Sequence, residues 1–330
     1  MRLIGAAATL LAAGMIAGGL TSAHALGPYP DLGTCPVFPD PPASLSPRAP
    51  SLPNQAAWNQ DISRAPVAGS SAAVIAYINS QGGDFLHPDF GSPRPYGFPY
   101  AVVPAGQRRL PIRYTAYGSE SDPGPFPVPS WAPVEGGSNS DGDRHVLVID
   151  RSRCALYELY RAFFSRRGGV HWAADSGASW DLRSTALRPD SWTSADAAGL
   201  PIFAGLVRYD EAAAGRIDHA IRVTFESTRD AWIHPASHCA GDTLSAAAPA
   251  MGTRLRLKAS YGLGRFSGPA RAIATALKRY GLIVADNGSN WFFSGSSDRR
   301  WDDENLNQLK RIPGSAFEVV RSAARPHICR

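Results

Sequence analysis

The stretch GDRHVLVIDRSRCALYELY, Gly142 to Tyr160, decides the reading of the fold. An apolar run, His145 to Ile149, meets a polar turn, Asp150 to Arg153, and a second run, Ala155 to Tyr160, follows; this is a β-hairpin signal. With Arg151 and Ser152 at the turn centre, Ile149 should face Cys154, Leu147 should face Leu156, and His145 should face Glu158. Side chains alternate along a strand, so these six residues share one face, the face expected to be buried. Asp143 and Tyr160 extend the cluster. A base beside a carboxylate on an apolar face is either a catalytic pair or a structural one.

Downstream, short β segments recur with turn residues between them: Val170 to Ala174, Ile202 to Tyr209, Ile217 to Phe225 and Leu255 to Ala259. His219 falls on the apolar side of the third, where a histidine is either a core residue or a ligand. Ser267 to Tyr280 is the clearest helix, with Ser at its start, Pro in the first turn and Gly281 after its end. Leu282 to Ala285 and Trp291 to Phe293 flank the turn-like sequence Asp286 to Asn290, whose residue types account for Asp286 without catalysis. Asp302 to Ile312 reads as a last helix, closed by Pro313.

Upstream, Ser70 to Ser80 is a short helix, and Ala101 to Val103 and Leu110 to Tyr117 are strands. Residues 118 to 143 form a long Gly/Pro/Asp/Ser loop into the hairpin. At its end Asn139, Asp141 and Asp143 place oxygen ligands at alternate positions; the readings are a structural calcium or a solvated Asx turn. No other cofactor is required. The many short strands and few helices predict a mainly β fold, an antiparallel β-sandwich or jelly roll with two or three peripheral helices.

Met1 and Arg2, an apolar run from Leu3 to Leu20, and Ala23-His24-Ala25 read as a signal peptide of residues 1 to 25. Residues 26 to 69, rich in Pro, Ser and Ala, read as an extended arm or linker, and residues 70 to 330 as a single β-rich domain. The formal charge is +5, and it drops to +4 once Arg2 leaves with the signal. Only Lys258, Lys278 and Lys310 are lysines, and the arginines are scattered among acidic and apolar positions, so nucleic acid is not the expected partner. A polysaccharide is, with the chain acting as a secreted monomer, extracellular or periplasmic, without a membrane span.

Four cysteines, Cys35, Cys154, Cys239 and Cys329, form no CxxC, and in an exported chain an even count favours disulfides. The expected pairing is Cys35 with Cys329, tying the termini, and Cys154 with Cys239, tying the hairpin to a later loop. His234 and His238 stand in IHPASHC, where Pro235 disfavours a helical metal site.

Most of the chain after Ser70 resembles a family of secreted bacterial proteins of uncharacterised activity. The likeness rests on HPDFG (His87 to Gly91), ESDPGPFPVP (Glu120 to Pro129), EGG (Glu135 to Gly137), GDRHVLVIDRSRCALYE (Gly142 to Glu158), ALRPDSWTSADAAGLPI (Ala186 to Ile202), GLVRYDE (Gly205 to Glu211), LKRYGLIVADNGSNW (Leu277 to Trp291) and Phe317-Glu318. The resemblance implies one coherent module and carries no activity.

The chain has no G-x-S-x-G elbow, P-loop or HExxH. It does have carboxylates beside basic or phenolic groups, and tryptophans in or next to loops, which suits sugar recognition. The expectation is therefore a glycoside hydrolase working through paired carboxyl groups. Glu158 is the candidate acid beside His145, with Asp210 or Glu211 as nucleophile or base. Trp180, Trp192, Trp291, Tyr160 and His219 are the candidate substrate contacts. A polysaccharide lyase, using Arg208, Tyr209, His145 and His219, is the alternative chemistry, and a glycan-binding protein the non-catalytic one.

Overall fold

The structure is a computed structural model and describes residues 32–92 and 96–329. Residues 1 to 25, read from sequence as a signal peptide, lie outside these residues. The protein is mainly β, a sandwich with few helices. The hairpin forms as the antiparallel strands Val146–Asp150 and Ala155–Tyr160, flanked by Tyr100–Val103 and Ser176–Asp181 in a four-stranded sheet. One face of this sheet, with Leu147, Ile149, Leu156 and Trp180, packs into the main core; the other, with Val146, Val148, Tyr157 and Leu159, packs into a second core under a three-stranded sheet. Burial on both faces explains why all five residues of Val146–Asp150 are inaccessible.

The hairpin register differs from expectation by two residues. Leu147 pairs with Glu158 and Ile149 with Leu156, so the connection spans residues 151 to 154. The Asp150 carboxylate lengthens the turn: its Oδ1 accepts from the Ser152 N–H (3.0 Å), the Ser152 hydroxyl (2.7 Å) and the Arg153 N–H (3.2 Å). A slip of two preserves which side chains share a face. His145 therefore stays on the Glu158 side, but its ring neighbour is Tyr160, at 5.4 Å between centroids.

A six-stranded mixed sheet provides the other wall, in the order His87–Pro88, Phe292–Phe293, Ile221–Phe225, Leu282–Asn287, Arg254–Leu257, Phe317–Val319. Its pairs include two parallel ones, so the sandwich is not purely antiparallel. The helix Gly268–Arg279 buries Ile273, Ala274 and Leu277. The helix Ser71–Ser80 buries Val74, Ile75 and Ile78.

The segment Ile202 to Tyr209 is not the expected strand. It forms a 3-10 turn, Phe203–Gly205, and then the helix Tyr209–Ala213. The N–H groups of Ile202 and Phe203, which a ladder would need, go instead to Glu158 Oε2 (3.0 Å) and Oε1 (2.8 Å). His219 likewise precedes its strand, which starts at Ile221.

The N-terminal segment read as an arm lies on the domain, with Phe38, Trp58 and Ile62 buried. The disulfides are Cys35–Cys154 and Cys239–Cys329, which corrects the expected pairing. Phe38 N–H bonds to Leu182 O and Leu182 N–H to Cys154 O, both at 2.8 Å, bringing the N-terminal segment to the hairpin turn. The C-terminal strand His327–Ile328 pairs with Arg229–Trp232, which brings Cys329 to Cys239. The bridges span 119 and 90 residues. Each contributes roughly 4–5 kcal/mol in the chain-entropy account. Among the described residues no helix is long and apolar enough to cross a membrane.

Candidate active site

The sandwich opens at a cleft of about 510 Å³ lined by Asp89, Tyr96, Phe98, Pro133, Glu135 and Ser297, among others. Two of these residues are acidic. Asp89 follows the short strand His87–Pro88, and its N–H bonds to Phe293 O at 2.9 Å. Its neighbours Pro88 and Phe90 are buried, and Phe90 packs against Phe293 and Trp301. Alternation then turns the Asp89 side chain outward. Glu135 sits at the end of a turn that Gly136 and Gly137 complete with φ of 70° and 91°, conformations that favour glycine.

Glu135 and His145 are tied three times: Glu135 N–H bonds to His145 O at 2.9 Å, His145 N–H bonds to Glu135 Oε2 at 3.3 Å, and Glu135 Oε2 meets His145 Nδ1 at 2.5 Å. The other ring nitrogen, Nε2, meets Ala195 O at 3.0 Å. With Glu135 ionised both partners are acceptors, and the doubly protonated imidazolium satisfies both. Burial alone would lower the His145 pKa, but the bond and charge of Glu135 raise it above the usual histidine range. For Glu135, burial would raise the pKa; the bond and charge of His145 reverse this and hold the carboxylate below its ordinary range. Both shifts favour the pairing of an imidazolium with a carboxylate.

Asp89 shifts the opposite way. It is open to the cleft, yet desolvation by the surrounding walls raises its carboxyl above the ordinary aspartate range; Arg222 opposes the rise and the charge of Glu135 adds to it.

Phe98 forms part of the cleft wall, and its ring is 5.2 Å from that of His145 and 5.1 Å from the Arg222 guanidinium. Arg222 is buried, bonded to Asp196 at 2.5 Å and 3.6 Å from Asp286. Burial pushes Asp196 up to about 7, opposed by Arg222 and helped by the charge of Asp286. Among the described residues, Asp196 Oδ2 and Arg222 Nε are buried without a hydrogen-bond partner. Arg188 positions the Asp196 loop, donating to Thr193 O and Asp122 at 2.8 Å each.

The residues singled out from sequence scatter around this centre. Glu158 is fully buried, accepts from the two backbone N–H groups named above, and is pushed up to about 7 by that burial. A polymer has no access to it. Arg208, Tyr209, Asp210 and Glu211 form a separate network: Arg208 and His219 flank Glu211, and Asp210 bonds to Arg300 at 2.8 Å, with Arg300 over the Tyr209 ring. Burial would raise Glu211, but Arg208 and His219 hold it at about 2. His219 Nδ1 meets Ala220 O at 2.7 Å, so both of its nitrogens are engaged. Trp180 and Trp291 belong to the main core; Trp192 is half-buried beneath the Arg188 guanidinium, and Tyr160 is half-buried next to His145.

Asn139, Asp141 and Asp143 are exposed, and Arg144 donates to the Ser138 and Ser140 carbonyls at 3.0 and 2.7 Å. His234 and His238 turn to different partners, Asp190 Oδ1 and Ala197 O, each at 3.0 Å. Among the described residues, one His/Cys/Asp/Glu group is close enough to hold a metal ion, Asp230 with Cys239 and Cys329, and both of its sulfurs are in the disulfide.

Sequence reasoning passed over Asp89, Glu135, Asp196 and Arg222, and assigned Asp286 to a turn. A signal was present, since HPDFG, EGG, WTSADAAGLPI and ADNGS hold four of the five. Compared with known proteins, the chain matches no family model, no curated protein and no solved structure.

Proposed function

We propose that the protein is a secreted glycoside hydrolase acting on polysaccharide, with Asp89 as general acid and Glu135 as nucleophile or base. One observation carries this reading: two carboxyl groups line one cleft, and their surroundings push their pKa values in opposite directions. That division is what glycosidic cleavage asks of a carboxyl pair. Asp89 would give its proton to the departing sugar oxygen. Glu135, kept ionised by His145, would attack the anomeric carbon or take a proton from the attacking water. Elimination is supported less well, because both nitrogens of His145 face acceptors and Arg222 is engaged by Asp196 and Asp286. The signal-like N-terminus and the two disulfides fit an oxidising, extracytoplasmic setting.

The test is incubation of the purified protein with a panel of neutral and uronate-containing polysaccharides, reading new reducing ends and unsaturated products. The expected result is reducing ends without unsaturation, lost in both Asp89→Asn and Glu135→Gln. Unsaturated products would replace the reading with a lyase. Retention without turnover would replace it with a glycan-binding protein.

A further inference from the structure

We infer that Trp131 is a sugar-stacking subsite at the rim of this cleft, binding a polysaccharide chain beyond the residue being cleaved. The inference rests on the hydrolase reading and adds a residue that decides polymer over short substrate. Trp131 is 64% exposed, whereas Trp58, Trp172, Trp180, Trp232, Trp291 and Trp301 are all buried. It stands two residues before Pro133 and four before Glu135, both of which line the cleft.

The backbone that presents it is held on both sides. Val128 and Ala132 are buried in the second core; Trp172 Nε1–H bonds to Val128 O at 3.2 Å, and Ala132 N–H bonds to Pro129 O at 3.0 Å. Pro129 and Pro133 fix φ at either end of the turn. Ordinary isolated surface apolar residues need no explanation. Trp131 differs in that its loop is anchored, carries the candidate nucleophile, and turns a large flat ring outward. Aromatic faces of this kind cover the apolar faces of pyranose rings, and Tyr96, 45% exposed, offers a second such face within the cleft.

The test compares wild type, Trp131→Ala, Trp131→Phe and, as an exposed-aromatic control, Tyr117→Ala. Each is assayed for turnover of the cleaved polysaccharide and of a short aryl glycoside of the same sugar. Each is also run in native gels cast with hydroxyethylcellulose, xylan, laminarin, chitosan or pectin. The expected result is that Trp131→Ala raises KM for the polymer about tenfold, the loss expected for one aromatic stacking contact. The aryl glycoside rate and the melting temperature should not change, Trp131→Phe should keep most of the affinity, and Tyr117→Ala should behave as wild type. An unchanged polymer KM in Trp131→Ala overturns the subsite and leaves the hydrolase standing. Gel retardation without turnover, lost in Trp131→Ala, overturns the hydrolase and supports the subsite. Wild type that neither turns over nor is retarded by any glycan overturns both.

Discussion

Two regions of this molecule set a carboxylate against a histidine, and they do different things with it. Around Glu211, Arg208 and His219 both bond to the carboxylate, which is held at about 2. Around Glu135, one imidazolium keeps the carboxylate ionised while Asp89, on the same cleft, keeps its proton to higher pH. The first arrangement neutralises the acid and fixes the short helix Tyr209–Ala213. The second leaves an acid and a base facing the same open space. Composition does not separate the two regions; placement on the cleft does.

The largest expected effect is on catalysis. Asp89→Asn and Glu135→Gln should each lower turnover roughly 10²–10⁴-fold, the usual range for a proton-transferring group. Glu211→Gln should leave turnover within a few-fold of wild type. Equal losses in all three variants would erase the contrast between the regions.

Next comes stability, with the order reversed. Glu211→Gln removes the partner of Arg208, whose side chain is only 9% exposed, and should cost about 3 kcal/mol in denaturant unfolding. Asp89→Asn changes an exposed side chain and should stay within about 0.5 kcal/mol of wild type. A stable Glu211→Gln protein would show that the Arg208 network is not structural.

The pH profile sharpens the comparison further. On the proposed mechanism, activity needs Glu135 ionised and Asp89 protonated. Glu135 loses its charge only below the ordinary glutamate range, and Asp89 loses its proton only above the ordinary aspartate range. The kcat/KM profile should therefore be a bell on the acid side of neutrality, its alkaline limb absent in Asp89→Asn. An optimum above pH 8 would assign the acid role elsewhere.

A further pH effect concerns Glu158. Its carboxyl is raised in the folded state from the ordinary 4.5 to about 7, so the native protein holds a proton that the unfolded chain releases in that window. The stability contributed by that proton is full below about 4.5 and is lost as pH climbs to about 7. Wild type should therefore lose melting temperature relative to Glu158→Gln across this interval. A constant difference between the two would mean that Glu158 does not titrate there.

Much of the fold was legible in the chain because it is written in local pattern. The hairpin, the helix Gly268–Arg279 and most strands follow from alternation, capping residues and glycine stops, which act over a few residues. The two-residue shift in the hairpin came from one side chain, Asp150, lengthening its own turn. Ile202 to Tyr209 has the composition of a strand, yet a carboxylate 44 residues earlier in the chain takes its N–H groups. No local pattern reports that. The candidate site is less legible still: Asp89, Glu135, His145, Asp196, Arg222 and Asp286 stand on separate segments.

By itself, the sequence determined a mainly β sandwich, four cysteines paired in two bridges, and the face on which His145 and Glu158 lie. Only the tertiary structure decided which cysteines meet, which acids are open to solvent, and which of them differ in proton affinity. The physical reason is range. Alternation and turn chemistry act between neighbours along the chain, whereas desolvation, charge pairing and disulfide geometry depend on separate segments, up to 119 residues apart, being packed together.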